Sequence, residues 1–241
     1  MQQKPIPILM YHSIANMPKG TKMRSLHVPL KLFKLQMQLL KLLGYQCLSM
    51  SKLQPYLTGE KTGKVIGITF DDGFRNNLQV LPILKQLKFS ATCYLISQKI
   101  GGINDWDIDK GIDKNPLMNE QEVKQWLDNG MEIGAHTQNH IRLTECDVEL
   151  AYQEIKQSRL DLETRFNRPV THFCYPYGSY NNDIRSMVEK AGYQTATTVK
   201  RGRARPGDEL LTLARVPITH RTFPHLLLMK ILSRYEEKRG Q

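Results

Sequence analysis

Two adjacent aspartates, Asp71 and Asp72, follow the apolar run Val65–Phe70 and precede Gly73. Neighbouring carboxylates repel each other and add nothing to stability. They become useful when a cation binds one of them and the other stays free to move a proton. Gly73 permits the sharp exit that would turn both side chains to one place. A solvated Asp-Asp-Gly turn is the plainer reading, and the motif alone does not choose. Two histidines, His136 and His140, stand four apart after a second apolar run, Met131–Ala135. Imidazoles at that spacing can converge on one metal ion. Thr137 stands where the zinc-protease pattern HExxH needs its glutamate, and Glu132 lies within the strand. With one aspartate added, the pair becomes a set of three protein ligands that leaves positions for water and substrate. Such a metal lowers the pKa of water and polarises a carbonyl. A third segment, Phe173–Gly178 (FCYPYG), ends in a Pro-aromatic-Gly turn. It can point a backbone N–H into a cleft as an oxyanion donor; an ordinary turn is the alternative.

All three segments sit just after an expected strand, where the active sites of α/β folds lie. Strands are expected at Ile6–Tyr11, Val65–Phe70, Ala91–Ile96, Met131–Ala135, Thr171–Cys174, Tyr193–Thr198 and Leu213–Ile218. Apolar residues at Leu30, Phe33, Met37, Leu40 and Leu43 mark a helix over Pro29–Leu43, closed by Gly44. Further helices are expected near Asn77–Leu87, over Glu120–Asn129, from Thr144 as N-cap to about Arg165, over Asn182–Lys190, and from Phe223 to Tyr235. Repeated strand–helix alternation without a linker or internal repeat points to an α/β fold with a parallel sheet, long enough to close into a barrel.

The composition agrees. The chain has 241 residues, 40% of them hydrophobic, and 34 basic against 23 acidic residues give a net charge of +11. Disordered and collagen-like chains are excluded. Helix-turn-helix, finger and RNP-like patterns are lacking and the basic residues are dispersed, so no nucleic-acid partner is expected. No stretch approaches the roughly 20 apolar residues of a membrane span. The start, Met1 to Pro5, carries one basic residue, and the run after it is broken by Pro7. A cytoplasmic protein is the expectation, with the inner membrane face as an option. Cys47, Cys93, Cys146 and Cys174 show no CxxC spacing and read as free thiols.

TFDDG (69–73), HTQNH (136–140) and YPYG (175–178) occur in the order found in the polysaccharide deacetylases, the carbohydrate esterase family 4 or NodB-homology group, which this chain resembles. The opening ILMYHSI, the helix FKLQMQLLKLLGY, the AGY ending at Tyr193 and the RVPI from Arg215 are similar to the poly-N-acetylglucosamine deacetylase subgroup. The resemblance thus covers nearly the whole chain. It implies one distorted (β/α) barrel domain spanning residues 1–241. The implied enzyme is a metal-dependent hydrolase that removes N-acetyl groups from amino sugars of a polysaccharide, oligosaccharide or lipid-linked glycan precursor. An O-acetyl esterase or non-sugar amidase on the same site and a non-catalytic carbohydrate-binding relative are the alternatives. Retention of Asp71 speaks against the last, since binding alone needs no base.

At matching positions the resemblance implies Asp71 as general base and Asp72, His136 and His140 as ligands of a divalent metal, zinc first, with cobalt, nickel or iron as alternatives. It implies the Tyr177 N–H as a donor to the oxyanion. The acid that protonates the departing amine follows an apolar strand, and both His12 (ILMYH) and His220 (RVPITH) fit. The permuted motif order of the subgroup favours His12, leaving His220 more readily structural.

Two departures stand out. Many family members carry an arginine beside the catalytic aspartate in the third motif, and here Cys174 holds that position. Arg215, at the start of an expected strand, is the substitute we expect. The family's Asp-Trp motif is missing after the third motif; Asn104-Asp105-Trp106-Asp107 lies earlier, in a polar insertion. Trp106 either faces a sugar or anchors its own loop. The basic cluster Lys200–Arg205 reads as a solvated loop, with an anionic glycan or lipid-linked sugar as the functional alternative. The tail from Phe223 reads as a docked helix, with peripheral membrane association as the alternative.

Overall fold

A computed structural model describes residues 4–108 and 111–240; Met1 to Gln3, Asp109, Lys110 and Gln241 lie outside the described residues. The apolar runs form β1 (Ile8–Tyr11), β2 (Gln46–Leu48), β3 (Val65–Phe70), β4 (Thr92–Leu95), β5 (Glu132–Ala135), β6 (His172–Cys174), β7 (Thr195–Arg201) and β8 (Leu213–Pro217). All pair in parallel, in the order β3-β4-β5-β6-β7-β8, and β1 bonds both ends, Leu9 lying opposite Ile68 and Val216. Seven strands therefore close a ring among the described residues. β2 shares one edge of β3 with β4: it takes Val65–Gly67, and β4 takes Thr69 and Phe70. This is the expected distorted (β/α) barrel.

Alternation along the strands separates two cores. Ile66, Ile68 and Phe70 face outward into a cluster with Phe33, Met37, Leu40, Leu84 and Trp126 of the surrounding helices. Ile8, Val65, Tyr94, Cys174 and Leu213 join a smaller cluster with Met50, Leu53 and Leu57. A Cβ on Gly67 would stand 2.8 Å from Leu53, so the helix carrying Leu53 lies tight against the strand.

The helices are α1 (Leu30–Leu42), α2 (Met50–Leu57), α3 (Leu81–Leu87), α4 (Glu120–Asp128), α5 (Val148–Phe166), α6 (Asn182–Lys190), α7 (Pro224–Leu232) and α8 (Tyr235–Arg239). β2 and α2 were not expected, the first being three residues long and the second interrupted by Pro55. Helix α5 starts three residues later than the sequence suggests. Asp147 caps it, accepting the Leu150 N–H at 2.8 Å, while Thr144 sits in a preceding turn with its hydroxyl on Ser179. The tail is two helices rather than one, broken at Ser233 and Arg234.

The basic cluster is also not a solvated loop throughout. β7 runs on through Arg201, whose Nε lies 2.7 Å from Glu236, and Arg203 Nε lies 2.8 Å from Glu237. Both acids belong to α8, so these cations dock the C-terminal helix. No helix of the described residues is long and apolar enough to cross a membrane.

Candidate active site

The parallel barrel brings the carboxyl ends of its strands together. His12 follows β1 directly, Asp71 and Asp72 follow β3, His136 follows β5, and Tyr177 comes shortly after β6. With His140 these side chains line one cavity. His220 is not among its lining residues; it is half-buried, with its Nδ1 unbonded in the protein. His27, which belongs to no motif, does line the cavity, its Nδ1 lying 2.8 Å from Ser13 Oγ.

Local backbone geometry aims the ligand candidates. Asp72 (φ 73°) and Gly73 (φ 75°) are both left-handed, which swings the two aspartates off the strand end. Only glycine suits the second place, since a Cβ there would lie 2.8 Å from Leu95. Thr137 (φ 64°) and His140 (φ 61°) are left-handed too, and they fold the chain between the two histidines back on itself.

Asp72 Oδ1 lies 3.4 Å from Nε2 of His136 and 3.4 Å from Nε2 of His140, with all three residues buried. Two ligands about 2.1 Å from a metal at a tetrahedral angle stand about 3.4 Å apart. The donor set therefore has the spacing and the borderline-hard chemistry of a divalent cation site. His136 Nδ1 is 2.7 Å from the Cys174 carbonyl, to which it donates, a contact that fixes the ring with its Nε2 turned to Asp72. The His140 ring is held between Trp106, at 4.5 Å, and Tyr177, at 4.7 Å. Trp106 thus faces the site rather than merely anchoring its loop. The Asp72 carboxyl is held low: burial would raise it, but hydrogen bonds from His136 and His140 outweigh that.

Asp71 sits beside this cluster with different partners. Arg215 Nη1 and Nη2 each donate to one of its oxygens at 2.7 Å, and His12 Nε2 lies 3.8 Å from Oδ2. Burial pushes the Asp71 carboxyl up, yet the charge and hydrogen bonds of Arg215, helped by His12 and His136, keep it below the usual range. These partners hold it in its ionised form. Tyr177 takes a left-handed conformation (φ 57°) within its Pro-aromatic-Gly turn. Its ring lies under the Arg142 guanidinium at 4.0 Å, and its hydroxyl donates to Asp107 at 3.3 Å.

One cavity, then, holds a carboxylate–imidazole cluster that could hold a cation, a separate ionised carboxylate and a nearby imidazole. Such a set can activate water against a carbonyl and protonate a leaving group.

Comparison with known proteins bears on this chemistry. Residues 58–196 match the profile of a family described as polysaccharide deacetylase. YxkH of Bacillus subtilis, provisionally named a polysaccharide deacetylase, is 32% identical over 217 residues, covering 89% of this chain and 71% of its own. The poly-β-1,6-N-acetyl-D-glucosamine N-deacetylase of Staphylococcus aureus is 24% identical over 189 residues, covering 73% of this chain and 63% of that one. Among solved structures, the Streptococcus pyogenes deacetylase PplD in complex with acetate superposes with a TM-score of 0.82 at 30% identity. That match covers 95% of this chain and 99% of PplD.

Proposed function

The chain belongs to the polysaccharide deacetylase family, and from that premise we propose that it hydrolyses the acetamide of N-acetylated amino sugars in a glycan. The observation that carries the reading is the division of labour between adjacent aspartates. Asp72 faces two imidazoles at 3.4 Å, and Asp71 faces a guanidinium at 2.7 Å. One carboxylate is built to hold a cation and its neighbour to stay charged and take a proton.

Asp72, His136 and His140 would hold the metal. When bound, it supplies Lewis-acid polarisation of the acetamide and lowers the pKa of water, and zinc suits this ligand set. Asp71 accepts a proton from the attacking water. Arg215 engages each Asp71 oxygen through one lone pair, so a second remains for that proton. As water adds to the carbonyl carbon, the Tyr177 backbone N–H donates to the oxygen that gains charge. His12, on the Asp71 side of the cavity, gives a proton to the nitrogen as the C–N bond breaks. The products are acetate and a free amine. That PplD is described with acetate bound is in keeping with this product.

For the substrate, the family and the Staphylococcus relative support a polymer or oligomer of N-acetylglucosamine. The net charge of +11 favours a glycan that carries negative charge or is lipid-linked at a membrane surface. Acetate assays on neutral and anionic N-acetylated oligosaccharides test both points. Release from sugar O-acetyl esters alone would replace the amidase by an esterase.

A further inference from the structure

The two candidate ligand histidines are joined by three residues, Thr137, Gln138 and Asn139, none of which is among those that line the cavity. What holds them is on helix α5. Glu154 is 3% exposed, and its Oε2 accepts the backbone N–H groups of both Gln138 and Asn139 at 2.9 Å. Its Oε1 accepts from Asn139 Nδ2 at 2.6 Å. The opposite side of the loop is held by the turn after β4: Ser97 N–H donates to the Thr137 carbonyl and Gln98 N–H to the Gln138 carbonyl, each at 3.1 Å. The remaining amide, that of His140, donates to Thr137 Oγ1 at 2.9 Å.

Every backbone amide from Gln138 to His140 is thus satisfied without regular secondary structure, and two of the three by one carboxylate. Successive N–H groups that point the same way form a concavity for an anion. Here the left-handed Thr137 turns them so, and a side chain of the same protein fills the place. Asp161, two helical turns further along α5, supports the same face. It accepts from Ser97 Oγ at 2.8 Å, Gln98 Nε2 at 2.9 Å and Gln138 Nε2 at 3.1 Å.

A buried carboxylate is costly unless its hydrogen bonds are filled, and removing it would leave the buried Gln138 amide, and that of its more exposed neighbour Asn139, without this acceptor. We propose that Glu154 is a positioning residue for the cation site: it holds the His136–His140 loop in the strained form that sets both imidazoles on Asp72. The inference rests on the metal-dependent reading of the site. It adds that the angle between the two imidazoles is set from α5, a part of the fold that lines no part of the cavity.

The test is metal binding rather than turnover. Zn²⁺ affinity is measured by competition with a chromogenic chelator, and Co²⁺ is added alone to read its visible absorption band. Glu154→Gln keeps the volume but makes a weaker acceptor and places an amide donor against Asn139. It is expected to weaken Zn²⁺ binding about tenfold and to change the Co²⁺ band, as losses of outer ligand supports do. Glu154→Asp should recover part of the affinity. Asn139→Ala, which spares both backbone contacts, should bind as wild type does. If Glu154→Leu folds it should bind more weakly still; if it does not, the Gln variant decides. Wild-type affinity and an unchanged Co²⁺ band in Glu154→Gln overturn the inference alone. Wild-type protein that binds neither ion overturns the reading of the site and this inference with it.

Discussion

Arg215, inside β8, meets Asp71, at the end of β3, through two parallel contacts of 2.7 Å. Its other donors are used as well: Nε on the Thr198 carbonyl at 2.8 Å, Nη1 on Thr69 Oγ1 at 3.1 Å and Nη2 on Cys174 Sγ at 3.3 Å. All five guanidinium N–H groups therefore have acceptors inside the barrel, which a lysine could not match. The contact also accounts for Cys174. Where the family resemblance leads us to expect an arginine, a small thiol leaves room for a guanidinium that arrives from another strand. A cation thus stands beside Asp71, supplied by β8.

Removing that cation has a signed consequence. Arg215 holds the Asp71 carboxyl below the usual range, so Arg215→Ala should raise it. The acidic limb of kcat/KM then moves to higher pH, because Asp71 takes up its proton earlier as pH falls. Asp71 would also be left buried and unpaired, a loss of about 3–5 kcal/mol in unfolding by denaturant. Arg215→Lys keeps the charge but not the two-point contact, and should lower kcat about 100-fold.

His12 and His220 both follow apolar strands, yet only His12 lines the cavity, 3.8 Å from Asp71. His12→Ala should cost about 10²–10⁴-fold in kcat, the range for losing a positioned acid. His220→Ala should retain wild-type turnover of the same substrate. Equal losses in the two variants would remove His12 from its proposed role.

A separate carboxylate, at the other end of β5, contributes to acid stability. Glu132 accepts from Thr92 Oγ1 at 2.5 Å, from the Ser51 hydroxyl, and from the Ser51 N–H at 3.2 Å, with His172 Nε2 at 3.6 Å. Burial would raise its pKa, but His172, Ser51 and Thr92 bring it down to about 2. A depressed acid contributes stability above its unfolded pKa of about 4.3, and that contribution is lost as pH falls toward about 2. Its size is at most on the order of 3 kcal/mol. Glu132→Gln should therefore be less stable near neutrality, and its denaturant midpoint should fall less on acidification than that of wild type.

Trp106 lies against His140 at the mouth of the cation site. Trp106→Ala should lower kcat/KM by about fivefold, the equivalent of about 1 kcal/mol of aromatic contact, and Trp106→Phe should restore most of it.

Much of this was legible in the residues. Apolar runs ending in carboxylates or imidazoles marked three strand ends, because side chains at the mouth of a parallel barrel must follow their strands directly. The partner of Asp71 was legible too, as a lone arginine in an apolar strand must be paired. Other features were not. Asp147 rather than Thr144 caps α5, since both are good caps and only the turn between them decides. Arg201 and Arg203 read as solvent residues because their partners, Glu236 and Glu237, lie over thirty positions away. Glu154 looks like any acid on an exposed helix; its role depends on a loop that precedes the helix and folds back over it. His27 has no spacing relation to any motif; its segment reaches the cavity by pairing with the chain at Ser13.

The central claim is that Asp72, His136 and His140 hold a metal that acetamide hydrolysis requires. The direct measurement is acetate release from an N-acetylglucosamine oligomer by protein stripped with a chelator and then reloaded with Zn²⁺ alone, with Asp72→Asn alongside. We predict no release from the stripped enzyme, recovery on reloading, and neither zinc binding nor release in the variant. Acetate released at the full rate by stripped protein, or by Asp72→Asn, would contradict the account.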